Sequence, residues 1–349
     1  MAFFGGADRV DRLAYETGAF VRKRAFERPS DVLQLLMTWA VAERSLMETA
    51  ALAAQAEMAD VSDVALMKRF ARSEAWLGAL LGEYLVERGG SLHAPYRIRL
   101  LDATCVSRPG KTGSDLRLHV SMDLRSHRVD TVELTDAAGN EKLERFRFSA
   151  NEIVVAHRGY AHRSGLQHVA RAGAYFVVRC PWSNLPLEHE DGTPFDILAA
   201  LRTLNDAEAG EFRVAFRSPD GEVVPCRLVG IRKSEAAAER SRKKTTYERR
   251  KSTTIDVRTL EAAGYVFVVT NLPEEISAVS VLELYSLRWQ IETKFKTLKS
   301  VLHLAKLPAR SETLARVYLM AKLLVAFAIE DLIDAAESFP PWGYPIAAH

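Results

Sequence analysis

The chain has 349 residues, enough for two or three domains and a sizeable core, and its 48% hydrophobic and 26% charged residues are those of an ordinary globular protein. Its formal net charge of +2 is too small to draw nucleic acid as a total, so any attraction for phosphate must come from local patches. Three widely spaced cysteines, Cys105, Cys180 and Cys226, contain no C-x-x-C pair, which argues against a disulfide framework and a structural zinc site; they are expected to be reduced core residues of a cytoplasmic protein. No basic-then-apolar leader opens the chain, and the apolar run Leu319 to Ile329 is broken by Lys322 and too short for a bilayer, so no membrane role is expected.

From about Asp31 to Arg88 the pattern is helical, with apolar residues at spacings of three and four. Leu33, Leu36, Met37 and Ala40 form one face, followed by Leu46, Ala50 and Ala53, and the pattern breaks at Met58 to Ser62. Ser62 or Asp60 is placed to cap the next helix, which should carry Val64, Leu66, Met67 and Phe70 inward and Lys68, Arg69 and Arg72 outward. Two helices with basic residues on the second suggest a helix-turn-helix-like unit, although a small bundle without a DNA role has the same pattern.

From Tyr96 the signals become those of strands: Arg97 to Asp102, Leu116 to Leu124, Thr131 to Thr135 and Glu152 to Ala156, with Pro109, Gly110, Gly113 and Gly139 as turn residues. The first strand delivers Asp102 at its expected end, where a carboxylate can leave the sheet. The last is followed by H-R-G-Y-A at His157 to Ala161, a helix from about Ser164 to Ala172, and a strand from Ala174 to Arg179. Beyond Cys180, prolines interrupt short strand-like runs such as Glu211 to Arg217 and Val223 to Arg232, which reads as an all-β insertion. Trp182 at its entry is either core or a stacking platform for an unpaired base.

The segment Glu239 to Lys251 holds seven basic residues, Lys243 and Lys244 among them, against two acidic ones. It is a solvated helix or loop, plausibly helical from Ser234, and a local phosphate-binding patch. Gly264 to Leu272 reads as a buried strand closing the core sheet, and Ser311 to Ala336 as a final helix before a proline-rich irregular tail after Phe339.

Between these last elements lies Leu284 to Ser300, read as one helix. Leu284, Leu287, Ile291, Phe295 and Leu298 make its apolar stripe; Tyr285, Arg288, Glu292 and Lys299 recur at three, four and seven along an adjacent polar stripe, with Lys294 and Lys296 nearby. A lone Arg288–Glu292 pair is ordinary on a helix surface. The full string Tyr-x2-Arg-x3-Glu-x6-Lys, preceded by T-N-L-P at Thr270 to Pro273, resembles the C-terminal signature of the insertion sequence four family of DDE transposases, and the resemblance extends through most of the chain.

The resemblance implies an α/β fold with a ribonuclease H-like mixed-sheet core. Residues 1–95 would be a helical DNA-binding domain, 96–180 the first part of the core, 181–262 the β-rich insertion with its basic segment, and 263–349 the completion of the core. It implies a metal-binding acidic triad whose first member is Asp102, in D-A-T, and whose third is Glu292. The family pattern at the second position is Asp-Arg-Gly/Ala-Tyr, and here His157 stands in place of the aspartate. A neutral imidazole removes one negative charge and one oxygen ligand from a site for hard cations. The chemistry is then impaired, or His157 is a ligand for a shifted metal such as manganese, or the second acid is elsewhere, Asp123 or Asp130 being the alternatives.

The implied activity is metal-dependent cleavage and strand transfer, with Mg2+ or Mn2+, at the terminal inverted repeats of an insertion sequence and into target DNA, by a DNA-dependent homodimer. A non-catalytic DNA-binding protein retaining the fold is the alternative. The DNA contacts would be Tyr285, Arg288, Lys296 and Lys299 beside the site, Arg158 and Trp182 at its approach, Lys68 and Arg69 in the N-terminal helices, and Lys243 and Lys244 in the basic run.

Overall fold

The computed structural model describes residues 2–88, 96–108, 115–248, 255–301, 303, 307 and 311–337. The expected turn residues Pro109, Gly110 and Gly113, the end of the basic run at Arg249 to Lys251, and the tail after Phe339 lie outside them. The N-terminal helices are α1 (Ala7–Glu16), α2 (Pro29–Val41), α3 (Leu46–Gln55), α4 (Asp63–Ala71) and α5 (Glu74–Arg88). Local chemistry sets their starts: proline opens α2, where its missing N–H leaves no bond unmade. A reciprocal capping box between Ser45 and Glu48 opens α3, and Ser62 caps α4 by accepting from the Ala65 amide. In α4 only Leu66 and Phe70 are buried; Val64 and Met67, expected inward, are exposed because they lie on a different stripe from the 66/70 pair. Arg69, expected outward, is half-buried, its guanidinium 4.7 Å over the Phe20 ring and donating to the Ala19 carbonyl.

The strands follow as β1 (Arg97–Val106), β2 (Leu116–Asp123), β3 (Val129–Asp136) and β4 (Glu152–Ala156), then α6 (Arg163–Arg171) and β5 (Tyr175–Arg179). The next segment holds β6 (Leu187–Glu188), β7 (Pro194–Phe195), α7 (Ile197–Arg202), β8 (Ala209–Arg217), β9 (Val223–Arg232), α8 (Glu235–Glu248) and α9 (Val257–Ala262). It is therefore not all-β, and its strands extend the central sheet instead of forming one of their own. The chain ends with β10 (Tyr265–Thr270), α10 (Ala278–Ser286), α11 (Trp289–Val301) and α12 (Glu312–Glu337).

Among the described residues all ten strands form one mixed sheet in the order β3-β2-β1-β4-β5-β10-β9-β8-β6-β7. β1 is antiparallel to β2 and parallel to β4, which is parallel to β5. β10 does not close the sheet; it lies between β5 and β9, antiparallel to both. Its pairing with β9 stops at Arg227, so Pro225, which has no N–H to give, sits beyond its reach. The arrangement, with helices on both faces, is consistent with a ribonuclease H-like DDE domain.

Both faces of the central strands are buried, so successive residues of one strand enter different cores. Leu100, Val155, Val177 and Val268 join the core shared with α1 to α5, α11 and α12, whereas Leu101, Val154, Val178 and Val269 join the core under α6 and α7. Lys322, which interrupts the apolar run of α12, is itself buried; its ammonium meets Glu43 at 2.9 Å and lies over the Tyr318 ring. Among the described residues no helix is long and apolar enough to cross a membrane. Cys180 and Cys226 are buried as expected, but Cys105 is exposed.

The signature segment is two helices and not one. At Leu287 and Arg288 the bonds shorten to three-residue spacing, Arg288 donating to Tyr285, Gln290 to Leu287 and Ile291 to Arg288. The two halves have different neighbours: α10 lies against β4, β5, β8, β9 and β10, and α11 against β1. The apolar stripe nonetheless faces inward throughout, with Ile291, Phe295 and Leu298 buried and Leu284 and Leu287 half-buried.

Candidate active site

Sheet register brings the first two predicted positions together. β1 does not end before Asp102 but runs on to Val106; what ends there is its pairing with β4, at Leu101 opposite Ala156. One residue further along each strand stand Asp102 and His157. Alternation puts Asp102 on the face of Leu100 and His157 on the face of Val155, which is one and the same face. Helix α11 packs against β1 on that side and carries Glu292 in its first turn.

The side chains form a connected chain of opposite charges. His157 Nε2 lies 3.2 Å from Asp102 Oδ1 and 3.2 Å from Glu141 Oε2, so one N–H serves two carboxylates. Its Nδ1 accepts from the Gly159 amide at 2.9 Å, which closes the single 3-10 turn Arg158–Tyr160. Arg288 reaches Asp102 Oδ2 at 3.5 Å and donates to Glu292 Oε1 at 2.8 Å. Burial by itself lowers the basicity of His157, but its hydrogen bonds to Asp102 and Glu141, and their charges, outweigh this and push it up to about 9. The Gly159 amide opposes that rise: a second proton on Nδ1 would remove the lone pair its bond needs, so this geometry keeps the ring neutral with its one proton on Nε2. Tyr160, fully buried and edge-on to His157 at 5.3 Å, has a hydroxyl without a partner among the described residues; burial, then the charges of Glu141 and Asp102, raise its pKa.

Sequence reasoning missed Glu141. It lies in the loop between β3 and β4, where no periodicity marks it, and only the fold carries it to His157. Burial raises its pKa, but the hydrogen bond and charge of His157 more than reverse this. The one local signal is Gly159: a Cβ there would collide with the Glu141 carboxylate and the His157 ring, so this turn has room for Glu141 only because residue 159 is glycine.

Among the described residues, no group of three or more His, Cys, Asp or Glu side chains is arranged to hold a metal ion. The donor chemistry nevertheless suits a hard cation. Asp102 and Glu292 offer carboxylate oxygens, and positive or N–H groups, Arg288 and His157, already stand against them where a cation would be neutralised. His157 offers no lone pair outward, since both ring nitrogens are engaged.

Comparison with known proteins decides the family. A family model described as "Transposase DDE domain" matches residues 93–328. The chain is 36% identical over 350 residues to the putative transposase InsL for insertion sequence element IS186A of Escherichia coli, covering 98% of this chain and 95% of that protein. It is also 36% identical to the transposase for insertion sequence element IS421 of Escherichia coli, over 351 residues and the same shares of each chain. The transposase for insertion sequence element IS231D of Bacillus thuringiensis subsp. finitimus is more distant, 25% identical over 339 residues, 84% of this chain and 70% of that one. This chain is a DDE transposase of the IS4 family.

The family comprises nucleases and strand transferases that use divalent metal ions, and several of the residues expected to contact DNA lie on α10 and α11, with Arg288 between the two helices and Glu292 within the second. Tyr285 ends α10 half-buried, Lys296 is exposed on α11, and Lys299 lies in its last turn. Lys294, expected to add charge beside Glu292, instead pairs with Glu330 at 2.8 Å. Exposed Arg158 leads from His157 into a cavity of about 580 Å³. Arg179, Lys233, Lys244 and Trp182 also line this cavity, and among the described residues no acidic one does. Burial, then nearby Arg179, lowers the Lys233 pKa to about 8. Trp182 is half-buried, its N–H donating to Thr259 and one ring face covered by Arg258 at 4.7 Å. Lys68 is exposed on α4, remote in sequence from these elements, and exposed Lys243 pairs with Glu239 on α8.

The alternative acids lie at the other end of β1. Asp123 and Asp130 ion-pair with Arg97, and Asp130 also with Arg99, alongside Glu152. The T-N-L-P segment serves geometry: Asn271 bonds the Phe176 amide and the Ala174 carbonyl, and Arg227, buried in β9 and missed from sequence, donates to the carbonyls of Leu272, Pro273 and Ile276. These bonds fix the entry into α10.

Proposed function

We propose that this transposase cuts phosphodiester bonds at the ends of its own insertion sequence and joins them to target DNA, through a centre weakened by histidine at position 157. The observation that carries this reading is the side-by-side placement of Asp102 and residue 157 on adjacent parallel strands, with Glu292 joined to Asp102 through Arg288. Asp102 and Glu292 would hold the divalent ions, magnesium or manganese, whose chemistry is to lower the pKa of an attacking water and stabilise the leaving 3′ oxygen. Arg288 is the bidentate phosphate donor: in leaving Glu292 for a scissile phosphate it would exchange one anionic partner for another and free Glu292 for the metal. Tyr285, Lys296 and Lys299 hold the backbone beside it, and the basic cavity entered at Arg158 takes the adjoining strand. The helical residues 1–95 are assigned to the terminal repeats, with Lys68 outward; the core segments 96–180 and 263–349 do the cutting, and 181–262 adds the basic wall. Two chains acting on paired ends complete the assembly.

A second reading, a chain that grips ends without cutting them, is favoured by one observation: every lone pair of His157 is already engaged. Cleavage of a duplex carrying the element's own terminal repeat, in magnesium and separately in manganese, distinguishes them. His157→Asp is expected to cut at least about tenfold faster than the natural chain, the ordinary scale for a metal-site defect. Binding by both with cutting by neither would establish the second reading.

A further inference from the structure

Resting on that reading of the site, we infer that Glu141 supplies the third carboxylate of this metal centre, so that the acid missing from position 157 is provided by the loop before β4. Asp102 and Glu141 come from different segments, yet one oxygen of each lies 3.2 Å from the same nitrogen, His157 Nε2. Two anions brought to one point repel unless a positive or protic group sits between them, and here a single N–H does so. A divalent cation satisfies the same two oxygens with more charge, and oxygen donors are those that magnesium and manganese take.

Two further features set this cluster apart from a chance meeting of acids. The Tyr160 hydroxyl, on a side chain with no exposed surface, has no hydrogen-bond partner among the described residues and lies within the electrostatic reach of Glu141 and Asp102. A buried hydroxyl left unpaired costs stability, and it is retained where a ligand or its water completes the bond. His119 is likewise fully buried with its Nδ1 unpaired, and Glu141 is among the charges it feels. Glycine at 159 is what allows the Glu141 carboxylate to lie over the H-R-G-Y turn at all. Without a cation the histidine N–H holds the two carboxylates together; a cation displaces that N–H, and Glu141 then supplies part of the charge that an aspartate at 157 would bring.

The test is Mn2+ binding, followed by electron paramagnetic resonance of the free ion, to the full chain and to Glu141→Gln, His157→Asp and the double variant. Unfolding midpoints and binding to a terminal-repeat duplex serve as controls for folding. The natural chain is expected to bind Mn2+, Glu141→Gln to bind about tenfold or more weakly, and the double variant to regain the affinity because the carboxylate has returned to position 157. Equal affinity of Glu141→Gln and the natural chain overturns the assignment. Binding by His157→Asp with none by the natural chain also overturns it and leaves the proposed site intact. Absence of binding by both overturns the proposed site as well.

Discussion

Two clusters of carboxylates meet strand β1, one at each end of its pairing with β4, and they differ in how their charge is met. At the start of the strand, Asp123, Asp130 and Glu152 are matched by two arginines, Arg97 and Arg99, which also bond Ser121, Thr131 and the Arg147 carbonyl. Arg99 is 3% exposed and every carboxylate there has an arginine partner. At the far end, Asp102, Glu141 and Glu292 share one imidazole and one guanidinium, and the Tyr160 hydroxyl and His119 Nδ1 lack partners among the described residues. The first cluster is closed and holds the sheet together. The second rests on a single arginine and an imidazole, and it is the one proposed above to take a cation and a phosphate.

Removing a partner from the closed cluster should have the largest effect on stability. Arg99→Met leaves Asp130 and Glu152 short of charge in a buried place and is expected to cost about 3–5 kcal/mol in urea unfolding. Asp102→Asn at the open end should change stability by no more than about 1 kcal/mol, while removing Mn2+ binding. Comparable costs for the two would erase the distinction.

The closed cluster should also set the acid limit of the fold. Burial raises the pKa of Asp123, but the Ser126 amide and Arg97 outweigh it and hold the carboxyl below its ordinary value. Its contribution is therefore present above the unfolded pKa of about 4 and is lost as pH falls through the lower folded value. Unfolding free energy measured from pH 6 downward should decline below about pH 4, and Arg97→Gln should make that decline shallower. A steeper decline in the variant would contradict the assignment.

The smallest effect belongs to the open end's rim. Lys296→Gln should leave stability within about 0.5 kcal/mol, yet lower the salt dependence of terminal-repeat binding by about one ion. An unchanged salt slope would place Lys296 off the DNA path.

The strands and helices that build the sheet were legible because their apolar residues repeat at periods the backbone imposes: Glu152–Ala156 and Val223–Arg232 stand where the sequence puts them. The same logic failed at Leu287, since the periodicity reads as one continuous helix whereas the chain forms two, α10 and α11, with different neighbours. It failed also for Val64, which is exposed, and for Arg69 and Lys294, whose partners belong to other elements.

What the sequence by itself determined is the family, through a spaced string of chemically distinctive residues, and the identity of Asp102, His157 and Glu292 as the positions to watch. Tertiary structure alone decided which acids are available. Asp123 and Asp130 are consumed by arginines two strand residues apart, and Glu141, unmarked in a loop, is carried to His157. The reason is physical: side-chain type is written along the chain, but charge compensation depends on distance in space, which the register of β1 against β4 fixes and the linear order does not.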